Sequence, residues 1–178
     1  MRNRTLRNVF VCMSVLGAMA IGAIAAVAPE PSANGHGTLL VTNGSNGNSV
    51  RRQFSFSARQ AADGTVSGNA ILNNPGFTGN ESTQQYMLQI DISCMKIIGN
   101  VAFFGGTTKR TNEAGLVDAV FFSVEDNGEP GRNSDRISSA FFYDNDPNTT
   151  GDPALCQGNQ IGDFPMTEIE AGNIIVNP

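Results

Sequence analysis

The stretch Arg52-Gln53-Phe54-Ser55-Phe56-Ser57-Ala58-Arg59-Gln60 decides the fold class. Phe54, Phe56 and Ala58 fall on one side of an extended chain and Gln53, Ser55, Ser57 and Arg59 on the other, the period-two pattern of a half-buried strand. Ala62-Asp63-Gly64 follows, and Asp-Gly accepts positive φ at low cost, so a hairpin turn is expected there. Thr65–Leu72 then returns with Val66, Gly68, Ala70 and Leu72 inward.

The pattern continues outward from this hairpin. Further strands are expected at Gly37–Thr42, Tyr86–Met95, Val101–Thr108, Leu116–Glu125, Arg136–Tyr143 and Ile169–Val176. In Tyr86–Met95 the residues Leu88, Ile90, Ile92 and Cys94 share a face, which predicts that the Cys94 sulfur points into the core. No stretch after residue 36 has a helical apolar period. About eight short strands joined by Gly, Asn, Asp and Pro turns predict an all-β domain, an antiparallel sandwich or small barrel. The pairs Gly68-Asn69, Gly99-Asn100 and Gly172-Asn173 read as turn or bulge positions.

Three doublets complicate the alternation: Phe103-Phe104, Phe121-Phe122 and Phe141-Phe142. Neighbours on a strand point to opposite faces, and a sheet with one wet face has no use for Phe on both. Three readings are open. The long late segment Asp144–Glu168 covers the second face, the rings form an exposed binding patch, or they meet another protein. Internal cover is the plainest.

The N-terminus has a different character. Arg2, Arg4 and Arg7 precede an apolar run, Val9–Ala28, that ends among small residues. This is the order of a secretory signal peptide over 1–28, with the cut between 20 and 33; an uncleaved membrane anchor is the rival reading. A flexible linker is expected over 29–36, then one β domain over 37–178, with no stable membrane span after cleavage. Removal of the leader leaves eight bases against sixteen acids, a net charge of −8, from −5 for the whole chain. That balance argues against nucleic acid as a partner. It also leaves two cysteines, Cys94 and Cys156, which in an exported chain predict one disulfide; two buried thiols are the alternative. The expected location is secreted, periplasmic or at the cell surface.

Chemistry-bearing signals are few. The chain has one His and no Trp. His36 falls in the expected linker and is not read as catalytic. There is no G-x-S-x-G, no H-E-x-x-H, no C-x-x-C and no phosphate loop, and Gly105-Gly106 lacks the following Lys and helix. The acidic loops are the best candidates. Asp144-Asn145-Asp146-Pro147-Asn148 has the start of an EF-hand loop, but Thr149 and Leu155 stand where Gly and Glu are needed. Glu125, Asp126, Asn127 and Glu129, with Asp135 beyond the next turn, form the candidate site of an oxygen-coordinated calcium ion; solvated turn residues explain the same composition. No other cofactor and no catalytic residue is expected.

Several motifs in fixed order resemble a group of uncharacterised secreted bacterial proteins. They are Asp63-Gly64-Thr65-Val66-Ser67-Gly68, Cys94 followed by Gly99-Asn100, Asp126-Asn127-Gly128-Glu129, and the C-terminal Gly172-Asn173-Ile174-Ile175-Val176. The likeness implies export, a paired Cys and a β fold, and it brings no catalytic residue. Function is expected to be a non-enzymatic binding or surface-interaction module for an unknown ligand or protein partner. A carboxylate-based extracellular hydrolase and a structural subunit of an extracellular assembly are the alternatives.

Overall fold

The computed structural model describes residues 29–42, 49–74, 86–111, 118–142 and 151–178. The expected signal peptide over 1–28 and the Asp144–Asn148 motif lie outside these residues. Nine strands run in chain order: β1 Ser32–Thr42, β2 Ser49–Gln60, β3 Val66–Asn74, β4 Tyr86–Ile98, β5 Val101–Thr111, β6 Ala119–Glu125, β7 Arg136–Ser138, β8 Phe141–Phe142 and β9 Met166–Asn177. Every pairing is antiparallel. β1 to β7 pair in sequence, β9 joins β7 to β1, and the sheet closes as an eight-stranded barrel with β8 outside it against β6. The two architectures left open by the sequence are thereby resolved in favour of the barrel.

The 52–72 hairpin forms as expected. Phe54 faces Leu72, Phe56 faces Ala70 and Ala58 faces Gly68 across the β2–β3 ladder. In the turn, the Thr65 amide donates to Asp63 Oδ1 at 2.9 Å and holds that carboxyl below its ordinary pKa. Gly99-Asn100 is likewise a turn, but Gly68-Asn69 lies mid-strand in β3.

The barrel has no lumen. An eight-stranded barrel is narrow enough for side chains from opposite walls to meet. Phe56 of β2 lies 5.3 Å from Phe104 of β5 and 6.0 Å from Phe122 of β6, centroid to centroid, and Phe104 stacks on Phe122 at 4.7 Å. Leu88, Ile90, Ile137, Ile169 and Ile174 complete a core that water does not reach.

Two sequence expectations need correction. Residues 32–36, expected as linker, belong to β1, which pairs with β2 on one side and β9 on the other. Its inward positions are Ala33, Gly35, Gly37 and Leu39. They are too small to show an apolar alternation, because the rings of Phe54 and Phe56 fill the space beside the two glycines. Cys94 does not share the face of Ile90 and Ile92. The β4–β5 register steps from Ile92↔Gly106 to Cys94↔Gly105, so Ser93 is an extra residue in β4. Such a bulge reverses the alternation beyond it. Met95 therefore enters the core and Cys94 turns outward.

The outward Cys94 has a purpose in the second layer. Residues 151–165 cross the outside of β4, β5 and β6 as a strap containing a short 3-10 helix, Pro153–Gly158. Asp152 caps that helix by accepting from the Ala154 amide at 2.8 Å. Cys156 bonds Cys94, with a Cα–Cα distance of 6.1 Å. The Lys96 ammonium donates to the carbonyls of Gln157 at 2.9 Å and Asn159 at 2.7 Å. At the strap's start, the Gly151 amide donates to buried Asp118 at 2.8 Å. Gly105 admits this layer: a Cβ there would sit 2.1 Å from the Pro153 carbonyl oxygen.

The strap explains the Phe doublets. Phe104 and Phe122 fill the barrel, while Phe103 and Phe121 point outward and are buried beneath the strap. Phe164 from the strap lies 6.3 Å from Phe103 and 4.8 Å from Phe141. Phe141 and Phe142 are half-buried. Internal cover accounts for the first two doublets, whereas both rings of the third stay half-buried.

Candidate functional site

The acidic loop between β6 and β7 occupies a gap in the barrel wall. β7 is only three residues long and pairs with β9 at Met166–Glu168, so below it the edge of β9 has no neighbouring strand. Exposed N–H groups along such an edge need acceptors. The loop supplies carboxylates. Asp135 accepts from the Ile174 amide at 2.8 Å and Asp126 from the Val176 amide at 3.0 Å. The other oxygen of each binds the loop itself: Asp135 Oδ1 takes the Asn127 amide and Asp126 Oδ1 the Gly128 amide, both at 2.9 Å.

The remaining candidates are engaged in the same way. The Asn127 side chain donates to the Ser134 carbonyl at 2.8 Å and accepts from Asn100 at 3.1 Å. Glu129 accepts from the Asn173 side chain, whose own oxygen accepts from the Gly131 amide at 2.9 Å. Glu125, at the end of β6, faces Arg136 at 3.8 Å, and Arg136 also reaches Glu168 at 3.3 Å. Gly131 is required at its place, because a Cβ would stand 1.9 Å from Asp135 Oδ2. The loop is a buckle that ties the last strand to the barrel.

The structure thus places Asp126, Asn127, Glu129 and Asp135 in one hydrogen-bonded loop and sets Glu125 in an ion pair at its edge. Asp135 is fully buried, with both oxygens turned to amides. Among the described residues, no three His, Cys, Asp or Glu side chains converge in a way that could hold a metal ion. Amide N–H groups face both oxygens of Asp126 and of Asp135, and the Arg136 guanidinium faces Glu125. Thermal melting in excess chelator and in millimolar calcium is expected to give one midpoint. A rise in calcium beyond about 2 °C would show an ion linked to the native state.

Sequence reading did not find Asn100, Gly131 and Asn173. Two of these carried a signal, since Asn100 and Asn173 stand in the Gly-Asn pairs noted as turn positions. Their amides reach across to the loop, which local chemistry alone does not reveal. Gly131 gave no sign of its contact with Asp135.

At the other end of the barrel, a cavity of about 20 Å³ lies among Arg52, Phe54, Leu72, Ile137 and Ser139. That is room for about one water molecule. Arg52 is buried there and donates to Ser139 Oγ at 2.8 Å, and no carboxylate lines the cavity. His36, the one imidazole, projects from the outer face of β1 opposite Ser55 and Asn173.

No family model, no curated protein and no solved structure matches this chain. Among the described residues, no helix is long and apolar enough to cross a membrane.

Proposed function

We propose that this chain is an exported, non-enzymatic binding module that meets its partner through the outer wall formed by β9, β1, β2 and β3. The observation that carries this reading is the contrast between the two sides of the barrel. The β4–β5–β6 side is apolar and covered by the chain's own strap. The β9–β1–β2–β3 side is uncovered among the described residues and presents Ser, Asn, Gln and His together with Arg51, Arg59, Glu168 and Glu170 and the exposed Leu40, Ile71 and Ile175. The filled interior supports the same reading, since a ligand has no lumen to enter. Export accords with the leader-like N-terminus and with a buried disulfide, which persists in oxidising surroundings.

Co-sedimentation with envelope fragments of the producing cell tests the proposal. The wild type is expected in the pellet. The double variant Ser55→Arg/Ser57→Arg, which alters two exposed positions of the wall, is expected in the supernatant. Ile161→Arg, an exposed position of the strap, should sediment like the wild type. A wild type that stays in the supernatant, or three proteins that sediment alike, would overturn the proposal.

A further inference from the structure

The buckle contains a chemically labile pair, Asn127-Gly128. We propose that Asn127 is a deamidation site guarded by the closed buckle, so that opening of the loop can be converted into a permanent negative charge that leaves β9 unfastened.

Asn is a thermolabile residue, and a Gly after it removes the Cβ that would crowd attack by the following nitrogen. The chain has four Asn-Gly pairs, of which Asn43-Gly44 and Asn46-Gly47 lie outside the described residues. The other two differ in setting. Asn34-Gly35 lies within β1, paired on one side with β2 and on the other with β9. Asn127-Gly128 is exposed, Gly128 has a φ of 93°, and no described atom comes within 4 Å of where its Cβ would stand. What restrains this second pair is hydrogen bonding.

The reaction needs only water. The Gly128 nitrogen gives up its proton to water and bonds to Asn127 Cγ, closing a cyclic imide. The Cγ–Nδ2 bond breaks, and Nδ2 leaves, protonated, as ammonia. Water then adds to one of the two imide carbonyls and breaks its bond to nitrogen. Residue 127 ends as Asp or as isoaspartate, in which the main chain runs through the side chain. One water is consumed and one ammonia released, with nothing oxidised or reduced.

Each reacting group is held while the loop is closed. The Gly128 N–H donates to Asp126 Oδ1 at 2.9 Å, so the nucleophile keeps its proton and points at a carboxylate. The Asn127 side chain is held at both ends, its Nδ2 by the Ser134 carbonyl at 2.8 Å and its Oδ1 by the Asn100 side-chain amide at 3.1 Å. The Asn127 N–H donates to Asp135 Oδ1 at 2.9 Å and fixes the backbone beside them. Attack requires release of these contacts, and exposed loops open locally without global unfolding.

The product does not fit the closed loop. A carboxylate at 127 has no proton to offer the Ser134 carbonyl, and it adds a charge beside Asp126 and Asp135. Isoaspartate also lengthens the main chain by one methylene between Asp126 and Asp135, the two carboxylates that receive the Val176 and Ile174 amides. The buckle cannot re-form around either product, and opening becomes one-way.

The full chain is aged in mildly alkaline buffer, folded and in urea, and peptides spanning residues 34 and 127 are weighed for exchange of side-chain NH2 for OH. Asn127 should convert at least about fivefold more slowly in the folded protein than in urea. Asn100→Ala removes the donor to Asn127 Oδ1, and Asp126→Ala removes the acceptor of the Gly128 N–H. Each should speed conversion of folded Asn127 about fivefold, the scale of one hydrogen bond taken from the closed loop. Asn34 should stay slow in both variants, which shows that the barrel has not unfolded. Aged wild type, isolated by anion exchange through its added charge, should exchange the Ile174 and Val176 amides faster than fresh protein, and Asn127→Asp should do the same. Conversion of folded wild-type Asn127 as fast as in urea, no gain in either variant, or a rise at Asn34 equal to that at Asn127 would overturn the guard. Unchanged exchange at Ile174 and Val176 in the aged protein would overturn the one-way opening.

Discussion

Removing the Cys94–Cys156 bond should cost about 4 kcal/mol of unfolding free energy, by the chain-entropy model for a closed loop of about 60 residues. The bond joins positions 62 apart in sequence, and the loop it closes includes β5, β6, β7 and β8. In the unfolded chain that constraint excludes many conformations that the free thiols would allow. Urea unfolding of the exported protein, with and without reductant, reads the effect as a shift in midpoint at nearly constant slope. The double variant Cys94→Ala/Cys156→Ala should match the reduced protein. The loss should begin locally. With the bond gone, the strap is held by the Lys96 contacts, the Gly151–Asp118 bond and the Phe164 rings. Amide exchange should therefore rise across 151–165 before it rises in the barrel. An unchanged midpoint after verified reduction would show that the bond adds nothing to stability.

Asp135→Ala should be nearly as damaging, at about 4 kcal/mol, because each buried donor left unpaired costs about 1–3 kcal/mol and bonds to a charged acceptor are among the strong ones. Two donors are orphaned, the buried amide of Ile174 and the part-buried amide of Asn127. Neither has a second acceptor among the described contacts, and the carboxylate is fully buried. Asp126→Ala also removes two bonds, but Asp126 is only half-buried and water can replace it, so about 1 kcal/mol is expected. The ratio between the two variants is the informative quantity. A melting midpoint for Asp135→Ala within a few degrees of the wild type, where roughly 10 °C is expected, would mean that the buckle does not hold β9.

The strands were legible because their alternation is local. Seven of the eight expected segments are each matched by one strand, and Arg136–Tyr143 divides at Ser139-Ala140 into β7 and β8. Barrel closure was not legible, because it depends on which strand ends meet, and β9 meets β1 only in three dimensions. Cys94 was misplaced for a definite reason: one extra residue, Ser93, reverses parity, and a bulge leaves no mark in a pattern of Ile, Ser and Cys. The acidic loop was legible as a cluster but not as a function. Carboxylates that gather for a cation and carboxylates that receive the amides of a distant strand look alike until that strand is in place.

Closure of the barrel through β1 and β9 has a kinetic consequence. Ser32 pairs with Asn177, so the first and last described strands meet across almost the whole described chain. Contacts of such long sequence separation form late and slowly, since the intervening chain must be ordered before they gain anything. Until β9 docks, β1 lacks a neighbour on one side and the amides served by Asp126 and Asp135 have no place in the wall. The pairings from β1 to β7 join neighbours in sequence and need not wait for β9, whereas the ring can shut only once β9 is in place. The buckle and the ring complete together, as the final event of folding.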